Sequence, residues 1–67
     1  MTLSNLLSVI KSNKTIIINL YDENDLLLIS FGHPGYMHLD DELETREVES
    51  MEILTLTSIN IKLAATN

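Results

Sequence analysis

The chain has 67 residues, with ten acids against four bases and no cysteine. That length allows one small domain over residues 1–67, burying only about 60% of the surface its unfolded chain exposes. Without cysteine, disulfide staples, thiol catalysis, zinc ribbons and iron–sulfur sites are excluded, and a net charge of −6 argues against direct nucleic-acid binding, which needs clustered Lys and Arg.

The first predicted element is a helix within residues 2–12. Leu3, Leu6, Leu7 and Ile10 share one helical face, opposite Ser4, Asn5, Ser8 and Lys11. Thr2 is the expected N-cap, Lys11 falls in the last turn, and Asn13 suits a left-handed terminating residue. The β-branched run Thr15–Tyr21 then reads as a strand, Asp22–Asp25 as a polar turn, and Leu26–Phe31 as the returning strand of a hairpin. Both strands carry apolar side chains on both faces. One helix covers only one face, so the surplus calls for a partner, self-association or cover from the rest of the chain.

Gly32–Gly35 is expected to end the second strand, because Pro34 lacks a donor and both glycines permit unusual backbone angles. Tyr36–Leu43 reads as irregular or single-turn, with Asp40 or Asp41 capping a turn that packs Leu39 and Leu43 inward. From Arg46 or Glu47 onward an alternation predicts a third strand. It should be bulged, since polarity switches faces midway. A tight turn at Thr57–Ser58 leads to a fourth strand over 59–63. The fold class is therefore α+β: one N-terminal helix packed on a four-stranded, mainly antiparallel sheet.

Charge is unevenly placed along this order. Asp22, Glu23 and Asp25 are balanced by Lys11, Lys14 and Lys62. Asp40, Asp41, Glu42, Glu44, Glu47, Glu49 and Glu52 have only Arg46 among them, so the whole net charge of −6 lies in a 13-residue window. Such a run is either a solvated face that keeps an apolar mini-domain soluble or a surface that attracts a basic partner. On a regular strand alternate residues stand about 6.6–7 Å apart, comparable with phosphate spacing along one nucleic-acid strand. Glu47 and Glu49 fit that spacing if the third strand begins there, and Asp40, Asp41, Glu42 and Glu44 extend the track. Tyr36 and Met37 are candidate apolar anchors beside it.

His33, His38 and Asp40 form a second constellation: two imidazoles and a carboxylate around a Gly/Pro turn can fill three positions on zinc. The spacing matches no established zinc signature, and surface histidines in a turn are the simpler reading, so no cofactor is required. The case for an enzyme is thin. There is no phosphate-binding loop or nucleophile motif, and little room to enclose a substrate. Neither a membrane span nor a secretory leader is expected, since the longest purely apolar run is Leu26–Ile29.

The segments TLSNLLSVI, GYMHLDDELETREVESMEI and INIKLA, arranged around a hydrophobic hairpin, resemble small orphan proteins of Firmicute phages and mobile elements, and among these the anti-CRISPR inhibitors. The resemblance is one of layout and hydrophobic pattern over nearly the whole chain. It implies a non-enzymatic inhibitor in the host bacterial cytoplasm that presents carboxylates to the basic surface of a CRISPR effector nuclease and blocks nucleic-acid engagement. The alternative reading is a self-associating accessory protein, a homodimer with no nuclease target.

Overall fold

The leucines spaced three and four apart near the N-terminus form α1, Leu3–Val9, in a computed structural model that describes residues 1–10, 14–33 and 39–65. Thr2 caps it, its hydroxyl accepting from the Asn5 amide at 3.2 Å. The helix ends at Val9, with Ile10 extended, rather than running to residue 12. Ser8 Oγ donates to the Asn5 carbonyl at 2.7 Å, a local bond that competes with helix continuation. Lys11 and Asn13 lie outside the described residues.

Four strands follow: β1 (Ile16–Tyr21), β2 (Leu27–His33), β3 (Val48–Thr55) and β4 (Ser58–Leu63), with the single-turn helix α2 (Asp41–Glu44) between β2 and β3. The β1–β2 connection is set by Asp22, whose Oδ1 accepts from the amides of Asn24 at 2.8 Å and Leu26 at 2.9 Å. Asp25 takes the left-handed conformation at φ 64°, a position where a short polar side chain is tolerated. A register shift there places Leu27 opposite Tyr21 while Ile29 faces Leu20.

The expected break at Gly32 does not occur. β2 continues through Gly32 and His33, paired with Ile17 and Ile16. A Cβ on Gly32 would come within 2.8 Å of the Thr15 methyl, so glycine permits the close approach of these strands. β3 is irregular as expected, but its register shifts fall near its two ends, between Val48 and Ser50 and between Ile53 and Thr55, rather than midway.

The sheet is α+β and mixed, in the order β2-β1-β4-β3. Two antiparallel hairpins are joined by a parallel β1–β4 pair that the alternation of the sequence did not announce. The core follows from this order. Ile16, Ile18 and Leu20 on β1 and Ile61 and Leu63 on β4 are buried in the two central strands, with Phe31 beside them on β2 and Leu3, Leu6 and Leu39 over them.

Two anchors fix the direction of α1 across this face. At its start, the Leu3 amide donates to the Arg46 carbonyl at 2.9 Å and the Val48 amide donates to the Met1 carbonyl at 2.8 Å. At its end, His33 Nε2 lies 3.3 Å from the Ile10 carbonyl oxygen. The beginning of β3 and the end of β2 are diagonal corners of the sheet, because the two edge strands run the same way. The helix therefore covers one diagonal and leaves the other two corners bare. Leu26, Leu27 and Leu28 are exposed at one, and Ile53, Leu54 and Leu56 at the other.

Candidate functional site

The acidic window begins where the chain returns from β2 to β3. Leu39 is buried and Leu43 packs against the core, which pins the segment to the molecule. Between them Asp41 opens α2, with Asp40 at the N-cap position; the amides of Leu43 and Glu44 both donate to the Asp40 carbonyl, at 3.0 and 3.1 Å. The cap is a backbone one, for the Asp40 side chain makes no capping bond. Acidic residues suit the first turn of a helix, where partial positive charge gathers on unpaired amides. Thr45 Oγ1 then bonds to the Asp41 carbonyl at 2.8 Å and closes the turn. Asp40, Asp41 and Glu42 are exposed and Glu44 is half-buried.

Arg46 is the one base in the window, yet it does not neutralise it. Its guanidinium turns away to Glu23 Oε2, at 2.9 Å, and to the Ala64 carbonyl, at 2.7 Å. Glu47 pairs with the N-terminal ammonium at 2.8 Å, both groups being exposed. Among the described residues, Asp40, Asp41, Glu42, Glu44, Glu49 and Glu52 make no ion pair.

The condition for evenly spaced carboxylates along β3 is not met. Glu47 sits in an isolated bridge with Thr2, before the strand starts at Val48. The register shift between Val48 and Ser50 then falls on Glu49, so the two-residue repeat does not pass through it. Glu49 instead adds its field to Lys62. The window is thus an acidic turn followed by an acidic edge strand, not one ruled track.

Of the expected zinc ligands, His33 ends β2 against Ile10 and Asp40 precedes α2, while His38 lies outside the described residues, as do Tyr36 and Met37. Among the described residues no three His, Asp or Glu side chains gather as a metal site.

The sheet face turned away from α1 carries polar chemistry that sequence reasoning missed. Ser30 Oγ donates to Asn19 Oδ1 at 2.7 Å, and Asn19 Nδ2 donates to Asn60 Oδ1 at 2.9 Å. Glu52 lies opposite Asn60 on β3, so this row crosses all four strands. Beside it Tyr21, Asp25, Ser50, Glu52, Asn60 and Lys62 line an open groove of about 490 Å³. Lys62 Nζ reaches Asp25 Oδ1 at 3.2 Å, and that hydrogen bond raises the Lys62 pKa above its ordinary value. A signal was available: Asn19 and Asn60 each interrupt an isoleucine-rich strand, where an amide needs a partner.

Comparison with protein families, curated proteins and solved structures finds no match to this chain. No helix among the described residues is long and apolar enough to cross a membrane.

Proposed function

We propose that the chain is a non-enzymatic binding protein whose acidic window, residues 40–52, docks on a basic protein surface. The observation that carries this reading is the segregation of charge. The whole excess of −6 lies in one window, and the only base inside it is engaged with Glu23, outside it. Carboxylates left without cations can accept charge-assisted hydrogen bonds from Arg and Lys that otherwise hold phosphates. In keeping with the anti-CRISPR resemblance, the proposed partner is a bacterial CRISPR effector nuclease in the host cytoplasm, and the effect is to occupy its nucleic-acid surface.

The test is binding to a purified effector nuclease, with target cleavage as readout, for the wild type and an Asp40→Lys/Asp41→Lys/Glu49→Lys variant. Inhibition should weaken steeply as salt rises and vanish in the variant. Equal inhibition by both proteins would reject the acidic mechanism.

A second reading, self-association, is favoured by the bare corner at Leu26–Leu28, three consecutive exposed leucines at the start of the edge strand β2. Mass measured across a concentration series distinguishes a dimer from a monomer.

A further inference from the structure

The outer edge of β3 lies on the far side of the sheet from β2. β3 is the longest strand, Val48–Thr55, and every residue from Glu49 to Thr55 is exposed. It pairs with β4 on one side only, and an edge strand presents half of its amides and carbonyls to whatever approaches. The chain itself uses the first rung: residues around Thr2 lie antiparallel to Glu47, with the Val48 amide bonded to the Met1 carbonyl. Among the described residues no strand pairs with the remainder of that edge.

Register separates the two faces of this open stretch. Met51 and Ile53 stand opposite Ile61 and Ile59, on the core side of the sheet. They are 46% and 67% exposed because α1 crosses the other diagonal. Ser50 and Glu52 stand opposite Lys62 and Asn60, on the polar side. β3 has no proline or lysine; its edge is guarded by the carboxylates of Glu49 and Glu52 and by register shifts near its two ends, so the charge that meets an approaching strand is negative.

We infer that the open edge of β3, Ser50–Thr55, receives an extended strand of a basic partner by sheet augmentation. The incoming strand continues the antiparallel direction of the N-terminal rung. It places basic side chains on the Glu52 face and apolar ones over Met51 and Ile53. Charge complementarity selects this occupant over a second copy. Two copies meeting here would bring together two acidic windows, each holding the full −6, whereas an alternating basic and apolar strand neutralises one face while burying the other. The inference rests on the acidic-surface reading and gives it a geometry.

The experiment uses a short acetylated and amidated peptide of alternating lysine and valine, followed by amide NMR of the full chain at low salt. The expected result is shifts and slowed hydrogen exchange confined to Ser50–Thr55. N-methylation of alternate peptide amides, which keeps charge and side chains but removes edge donors, should weaken binding about tenfold, equivalent to the net loss of roughly one to two hydrogen bonds. Equal, salt-sensitive binding of both peptides would overturn strand pairing while leaving the acidic surface intact. Failure of both to bind would overturn the two together. Shifts centred on β2 would reject the edge assignment. Protection of the same amides by concentrating the protein alone, with doubled mass, would assign the edge to a second copy instead.

Discussion

Replacing Arg46 with methionine tests whether the acidic window is held to the domain by the residue that leaves it unneutralised. The Arg46 side chain is 11% exposed, and its Nη2 joins the β1–β2 turn at Glu23 to the end of β4 at Ala64. The bond to Glu23 is partly solvated, so it contributes about 0.5–1 kcal/mol. The charged bond to the Ala64 carbonyl is part-buried and contributes about 1.5–3 kcal/mol. Against these stands Nε, buried without a partner among the described residues, which methionine would relieve by about 1 kcal/mol. The net loss is about 2 kcal/mol. With a urea dependence near the low end for small domains, about 1 kcal/mol per molar, the denaturation midpoint should fall by about 2 M. Glu23→Gln alone should cost under about 1 kcal/mol, and salt should erase only that part. A loss below about 0.5 kcal/mol for Arg46→Met would refute the reasoning and show that Leu39 and Leu43 alone hold the segment.

Three further expectations follow from burial, pairing and pH. Leu20→Ala should cost about 3 kcal/mol by leaving a cavity between the two central strands, whereas Leu56→Ala, at a site 97% exposed, should stay within about 0.5 kcal/mol in the same urea titration. Asn19→Ala should destabilise by about 1 kcal/mol, since it strips the part-buried Asn60 of its partner while exposed Ser30 turns to water; in the Asn19→Val/Asn60→Val pair the loss should largely disappear, at the expense of solubility, which light scattering would detect. Lys62, raised above its ordinary 10.5 by the hydrogen bond it donates to Asp25, contributes stability that is complete below that value and is lost as pH climbs through the raised pKa. Asp25→Asn should therefore flatten the alkaline fall in melting temperature, and an unchanged profile would count against the pair.

What the sequence made legible was local. The spacing of Leu3, Leu6, Leu7 and Ile10 identified α1, and the β-branched run of Ile16, Ile17 and Ile18 identified β1, because periodicity and propensity act over a few residues. The switch of polarity along Val48–Leu56 signalled an irregular strand, though not that its register shifts fall near the two ends. Strand order was not legible. The parallel β1–β4 contact is settled by which faces bury together over long separations, as when Ile18 meets Ile59 and Leu20 meets Ile61. Gly32 read as a breaker because nothing local reveals Thr15 packed against it. For the candidate site, the acids were legible as a count but not in their arrangement. That Arg46 turns to Glu23, and that Glu47 belongs to the N-terminal rung, depends on partners 23 and 46 residues away.

These long-range partners also explain why charge and the open edge fall on the same strand. The chain leaves β2 at one end of the sheet and must return to the other to begin β3, because the two edge strands run in the same direction. The returning segment, with α2, delivers its acids directly into the edge strand. α1 is tied to the beginning of β3 and the end of β2, so it leaves the far part of β3 uncovered on the core side. The carboxylate of Glu52 thus sits within the stretch that most invites another strand, and that of Glu49 directly before it. They repel a second copy of the same chain, as edge charges do. In the proposed augmentation the same charges would attract a basic strand and leave the apolar face of β3 free to receive it. Selectivity at this edge would then come from rejecting the wrong partner as much as from binding the right one.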